Sequence, residues 1–479
     1  MKLRLLAASA ALGLLATGFA QAPAVASDSR GPRWSACDFD ARLECATLPV
    51  PLDHNDPRGK RIDLALSRLK AAGHSRGILL AVDGGPGGNQ GMGRTAPLHY
   101  ADTPLHGSYD LIGVDLRGNG ASAPVQCERT TPTAAFDSRP ADSAFPAILA
   151  DAKASELACE RAGGDQRRYI GTVAAAHDLD QVRAALGERK LNYIGYAYGS
   201  YLGAVYQTLY PQRLDRMVLD SVRHPDWTWR QQFMSQAVAI RENVDAWADW
   251  AGDRNGALGL GSSQDEVLST VEDTATALAT APVHGTTRTA FDATVGAMAD
   301  DRTKWADLAH YIRSLTPASP ASPSLAPTAS PVLRSGILEA TTCETPWPTD
   351  PEVYRRDMAR YEADFPYGLG VTRAQPWACA FRSDPPEAPP QIRSGGHRPG
   401  LIVQAENDPQ TPLAGGLAMA RRLGDRVITI PDDGSNAIYA KRGYRCVDDQ
   451  VNRYLLTGDL PHATRTTCAG APRPDVQAD

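Results

Sequence analysis

Residues 191–203 read LNYIGYAYGSYLG. A run fit for a strand meets a run fit for a helix there, and only a G-x-A-x-G turn separates them. Flanking glycines at this spacing let the chain pass abruptly from strand to helix, with a strained residue at the centre. That demand restricts the surroundings to a sheet whose strands feed directly into covering helices. A glycine pair alone is a weak signal, so the rest of the chain has to support it.

It does so on both sides. Residues 62–66 alternate like a half-buried strand, and 77–82 form a continuous apolar run that ends in DGGPGG at 83–88. A second buried strand over 109–115 ends in LRGNG. A helix is expected around 174–186, where Leu179, Val182 and Leu186 share a face, then the strand 191–196, a helix through Tyr210 and a strand at 216–219. Strands alternating with helices at this spacing predict a parallel sheet covered on both faces.

The pattern changes near Asp226. Trp227, Trp229, Trp247 and Trp250 cluster there, and the chain reads as helical to about Leu315. Residues 316–331 are rich in Pro, Ser and Ala and predict an extended loop. A helix at 351–363 follows, strands return at 401–405 and 427–430, and a helix at 446–456 closes the pattern. At 479 residues the chain is long for a single core. The expected division is a signal peptide at 1–26, a first core segment at 27–225, a helical cap insertion at 226–395 and a second core segment at 396–479.

The signal peptide is read from Lys2 and Arg4, the apolar run 5–20 and the A-V-A exit at 24–26. Eight cysteines behind such a leader favour disulfides, and pairing of neighbours would give Cys37–Cys45, Cys127–Cys159, Cys343–Cys379 and Cys446–Cys468. No C-x-x-C pair points to zinc, so no metal is expected. The net charge of −6 comes with mixed signs and no basic stripe, which argues against nucleic acid as a partner. No stretch after the leader is long and apolar enough for a membrane span.

The chemistry-bearing segments follow a recognisable order. In a nucleophile elbow, G-x-S-x-G lifts a serine hydroxyl above the sheet; here the centre is Ala197. The loop beginning Asp83-Gly84-Gly85 fits one half of an oxyanion hole, with the Tyr198 amide as the other. Asp408 follows a strand where a triad acid would stand, and the base should come after the next strand. That segment reads DDGSNAIY, which puts Asn436 at the base position, or Ser435 in the adjacent register.

GGPGG, DLRGNGAS, the elbow followed by YLGAVYQTLYP, LDSVRHP, ATTCETPWP, ENDPQTP and the late cysteine pair together resemble the secreted tripeptidyl aminopeptidases, including the prolyl tri/tetrapeptidyl type. The resemblance covers nearly the whole mature chain. It implies an α/β-hydrolase fold, mostly parallel sheet with helices on both faces and an inserted helical cap. It also implies a serine peptidase that removes short peptides from free N-termini. Carried over by position, Asp408 matches the acid, Ala197 replaces the nucleophile and Asn436 replaces the base.

Alanine cannot form an acyl-enzyme, and asparagine cannot shuttle a proton near neutral pH. Neither Ser200, placed a turn into the helix, nor Ser435, without a base, is expected to substitute. His177, His224, His397 and His462 read as surface or packing residues. Glu339, Glu344 and Asp350 are candidates for holding a substrate ammonium. The expectation is therefore a secreted monomer without cofactor that binds peptides through their free N-termini and does not hydrolyse them. Two alternatives remain open: a non-hydrolytic enzyme, such as a cyclase or lyase, using Asp408, and a purely structural or binding protein.

Overall fold

The computed structural model describes residues 31–86, 93–315 and 333–479. The leader at 1–26, the end of the glycine run at 87–88 and the loop at 316–331 lie outside them. Twelve strands are present among the described residues: β1 Ser35–Ala36, β2 Glu44–Pro51, β3 Arg61–Leu69, β4 Ile78–Val82, β5 Asp110–Val114, β6 Gln126–Glu128, β7 Leu191–Ala197, β8 Leu214–Val222, β9 Leu333–Ser335, β10 Leu401–Ala405, β11 Arg426–Ile430 and β12 Arg465–Thr467.

Ten of these build one sheet in the order β1-β2-β3-β5-β4-β7-β8-β10-β11-β12. The pairings from β1 through β5 are antiparallel, and every pairing from β5 across β4 to β12 is parallel. The parallel half explains its own sequence. All five residues of β4 (ILLAV) and of β10 (LIVQA) are buried, as helices on both faces require. Apolar clusters fill both sides: Leu80, Leu202, Val205 and Leu219 on one, Ile194, Val403, Ile428 and Tyr439 on the other.

The strand β2 breaks the usual sequence rule, because ECATLPVP carries Pro49 and Pro51. They are tolerated because β1 covers only Glu44 and Cys45, leaving the prolines on an open edge where no ladder donor is missed. The helix Phe145–Gly163 is a further element without a sequence forecast; its alanine-rich pattern gives only a weak apolar stripe.

Between β8 and β10 the elements are helical apart from β9, which pairs with β6 outside the main sheet. Trp229–Gly252, opened by a Thr228/Gln231 capping box, runs for 24 residues. It shares an apolar cluster with the helices Gln264–Thr280, Arg288–Asp300 and Trp305–Ser314. Trp247 and Trp305 are fully buried there, and each indole N–H donates to a backbone carbonyl, of Trp305 and Ala299 respectively. Trp227 leaves this group and stacks on His224 at 4.3 Å.

The structure joins Cys37 to Cys45, Cys127 to Cys159, Cys343 to Cys379 and Cys446 to Cys468. The last ties the helix Arg445–Thr457 to the end of β12. Closing a loop with a separation of 22 residues restricts the unfolded chain by about 3 kcal/mol. Replacing Cys446 and Cys468 together by serine should lower unfolding stability by about that amount, read as a lower denaturant midpoint. An unchanged midpoint would remove this staple from the stability of the carboxyl-terminal edge.

Candidate active site

The turn from β7 into the helix Tyr198–Leu209 has the geometry of an elbow. Ala197 has φ 47° and ψ −110°, a region that L-residues with a Cβ avoid. Holding it there costs on the order of 1–3 kcal/mol, compensated by the surrounding packing. The two flanking glycines are required sterically. A Cβ on Gly195 would lie 2.3 Å from the Gly199 carbonyl oxygen, and one on Gly199 would lie 2.2 Å from the Val82 carbonyl oxygen. Ala197 is thus pressed upward against the loop after β4, where a Cβ on Gly84 would meet the Ala197 methyl at 2.9 Å.

Asp83, Gly84, Gly85, Ala197 and Tyr198 line a cavity of about 520 Å³ together with Gln410, Thr411, Asn436, Ala437, Lys441 and Arg442. Gly85 and Tyr198, the two expected oxyanion-hole residues, therefore meet at one cleft with Ala197. The helix Tyr198–Leu209 starts at that cleft and has no side-chain cap. Asp83 accepts the Gly84 amide at 2.8 Å and pairs with Lys441 at 3.4 Å, whose ammonium also lies 4.6 Å above the Tyr196 ring.

Asp408 is buried, 1% exposed. Its carboxylate accepts from the Gln410 amide (2.8 Å), the Thr411 amide (3.0 Å), the Thr411 hydroxyl (2.6 Å) and the Asn436 side-chain amide (2.8 Å). Asn436 Nδ2 also donates to Thr411 Oγ1 at 3.0 Å. Burial pushes the Asp408 carboxyl up to about 7, against the pull of these four donors. Of the two registers open in the sequence, Asn436 is the one that reaches Asp408. Ser435 instead donates its amide to Asp433 and sits near the Tyr444 hydroxyl.

The loop that carries Asn436 is held by a device the sequence reading missed. Asp220, buried at the end of β8, accepts the amides of Ile438 and Tyr439. Ser221, with φ 56°, accepts the Ala437 amide at 2.8 Å. Burial raises the Asp220 carboxyl to about 6. Its signal was available: an acid directly after the apolar run MVL within the strand LDRMVLDSV. The DLRGNGAS turn is likewise structural, since Arg117 forms a buried ion pair with Asp178 at 2.6 Å and Ser122 ties the turn to β3.

The remaining candidates lie elsewhere. Ser200 is buried and donates to the Ala197 carbonyl. His177 contacts Tyr210, His224 stacks on Trp227, and His397 and His462 do not line the cleft. Glu339 pairs with Arg334, away from the cavity. Glu344 is buried behind the cavity wall, where it accepts from Thr172 and from the Trp229 indole at 3.0 Å. Asp350 caps the helix Pro351–Asp364. None of these three acids faces the cavity, so their expected role in holding a substrate ammonium is not carried forward. The sequence did not point to Gln232, Gln236 and Arg223, which do line it. Among the described residues, Cys127, Cys159 and Glu339 are grouped closely enough for a metal, but both sulfurs are spent in a disulfide.

The parallel sheet, the strained strand-to-helix turn and the acid loop after β10 define an α/β-hydrolase. The family model described as TAP-like protein matches residues 366–468. Tripeptidyl aminopeptidase from Streptomyces coelicolor is 34% identical, over 93% of this chain and 87% of its own length. Serine protease Hip1 of Mycobacterium tuberculosis is 28% identical over 87% of this chain and 86% of its own. Carboxylesterase B of the same species is 28% identical, over 94% and 92%. The chain belongs to the tripeptidyl aminopeptidase family.

Asp408 gives a pH test. Its carboxyl sits at about 7 in the folded protein, above the unfolded value near 4. The folded state therefore holds this proton more tightly, and stability from this group is full below about pH 4 and lost as pH rises to about 7. Comparing unfolding at pH 4.5 and 7.5, Asp408→Asn should gain on the unaltered chain at the higher pH. A difference independent of pH would contradict the raised carboxyl.

Proposed function

We propose that this chain is a secreted peptide-binding member of its family that does not hydrolyse peptides. The observation that carries this reading is the pairing of Asn436 with Asp408 at 2.8 Å, in a cleft whose elbow presents the methyl group of Ala197. On this reading Ala197 stands at the nucleophile position, Asn436 at the base position and Asp408 at that of the acid. Alanine has no lone pair with which to attack a carbonyl. Asparagine neither takes a proton from a nucleophile nor returns one to a leaving amine. In subtilisin, removing the catalytic serine or histidine costs about 10⁶-fold in kcat.

The amide of Asn436 takes the place an imidazole N–H would have toward Asp408. That substitution supports a loop kept in shape without its chemistry. The elbow strain supports the same view, because a strained alanine presents no reactive group. Asp408 offers little as an independent base, since four donors engage its oxygens and it is 1% exposed.

Binding is supported by the intact cavity, whose volume of about 520 Å³ falls in the range of small-ligand sites. Gln232 and Gln236 donate their amides to the Gln410 carbonyl at 2.9 and 3.0 Å, leaving both Oε1 atoms buried without a partner. Buried acceptors of this kind gain from a donor such as a peptide ammonium. Four disulfides, and the absence among the described residues of a helix long and apolar enough to cross a membrane, support secretion by the leader read in the sequence.

The test is a chromogenic tripeptide amide given to the unaltered chain, Ala197→Ser, Asn436→His and the double variant. The first three should stay at the reagent background. The double variant should release the chromophore at least about 10³-fold faster. Release by the unaltered chain, or none by a folded double variant, would overturn the reading. Calorimetry with tri- and tetrapeptide amides should show binding to the unaltered chain.

A further inference from the structure

One group at the cleft is left over by this account. Arg223 follows β8 directly, lines the cavity and is 1% exposed. Its guanidinium carbon lies 4.1 Å from the Tyr201 ring and 4.2 Å from the Trp229 ring, so the plane is held between two aromatic faces. Nη2 donates to the Trp227 carbonyl at 2.7 Å. Nε and Nη1 are buried and have no acceptor at hydrogen-bonding distance. The Tyr201 phenol feels the charge without hydrogen-bonding geometry to those two nitrogens.

Buried guanidinium groups are normally paired, because an uncompensated charge with empty donors is costly. Glu344 is close enough to feel Arg223, yet its oxygens are spent on Thr172 and on the Trp229 indole. Among the described residues the cleft has no other acid free to serve. Asp83 is paired with Lys441, and Asp408 is enclosed by its four donors. Arg442, which also lines the cavity, donates to the Asn436 carbonyl and adds positive charge. Arg223 is also fixed to the elbow: its amide donates to Ser200 Oγ at 3.2 Å, and Ser200 in turn donates to the Ala197 carbonyl. Arg223 and Ala197 line the same cavity, so a group held by Arg223 would lie in the cleft that holds the elbow.

We propose that Arg223 is a carboxylate subsite of the cleft, selecting peptides with an acidic side chain or a free carboxyl terminus. Nη2 carries two N–H groups and the Trp227 carbonyl takes one, so one edge of the planar, stacked guanidinium, Nη2 together with Nε or with Nη1, is left to meet a carboxylate's paired oxygens. The inference rests on the peptide-binding reading above and adds the class of peptide.

Calorimetry on the full mature chain tests it. The probes are tetrapeptide amides of alanine carrying glutamate or glutamine at each of positions two to four, and trialanine as the free acid or the amide. At least one acid/neutral pair should differ by about tenfold or more in affinity. The glutamate series and the trialanine pair distinguish a side chain from a terminal carboxylate. In Arg223→Gln that ratio should fall toward one, and in Arg223→Lys it should fall only partly. Should Arg223→Gln fail to fold, by thermal unfolding, the lysine variant decides: a reduced ratio supports the subsite and an unchanged one overturns it. Equal affinities for acidic and neutral peptides in the unaltered chain would overturn the subsite alone. Binding of no peptide at all would overturn the peptide-binding reading together with it.

Discussion

The abrupt passage from β7 into its helix constrains everything around it. For the strand to end at Ala197 and the helix to begin at Tyr198, the central residue must take φ 47°. Gly195 and Gly199 must also give up their side chains to neighbouring carbonyls. The parallel sheet supplies the frame, with β4 on one side of β7 and β8 on the other. The glycine loop after β4 then falls over the turn. The last residues of β8, Asp220 and Ser221, fix the loop of Asn436. A cleft between sheet and cap is the consequence.

On the proposed reading, that cleft keeps the architecture of a hydrolase while Ala197 and Asn436 stand where two chemical groups would be. The Asn436–Asp408 hydrogen bond is a satisfied, short-range contact that holds the acid loop and the base loop together. Replacing an imidazole by an amide preserves one donor toward the acid and removes the titrating nitrogen. The helix Trp229–Gly252 closes the cavity from above, with Gln232 and Gln236 tied to Gln410 and Asn243 tied to the Asn407 carbonyl at 2.9 Å. Cap and acid loop are therefore coupled at the site itself.

Much of this was legible in the sequence, for identifiable reasons. The buried strand β4 is an uninterrupted apolar run, β7 and β10 are largely apolar with one polar residue each, Asn192 and Gln404, and punctuation by glycine located the elbow and the loop after β4. The order of segments brought Asp408 forward with Asn436 or Ser435, and the hydrogen bond of Asn436 to Asp408 chooses between the two registers. Strand β2 was hidden by Pro49 and Pro51, which an open edge tolerates. Arg223 was hidden because its isolation depends on Tyr201, Trp229 and Glu344, brought together only by folding. Glu339 and Glu344 looked like cleft acids from their nearness to Cys343, but an ion pair and an indole hydrogen bond commit them elsewhere.

The missing hydroxyl at Ala197 is the claim on which the functional account turns. A serine-directed fluorophosphonate probe, added to the unaltered chain and followed by intact mass, reports it without a choice of substrate. The account predicts no adduct. Stoichiometric labelling at a residue of this cleft would show that a competent nucleophile is present, and would contradict it.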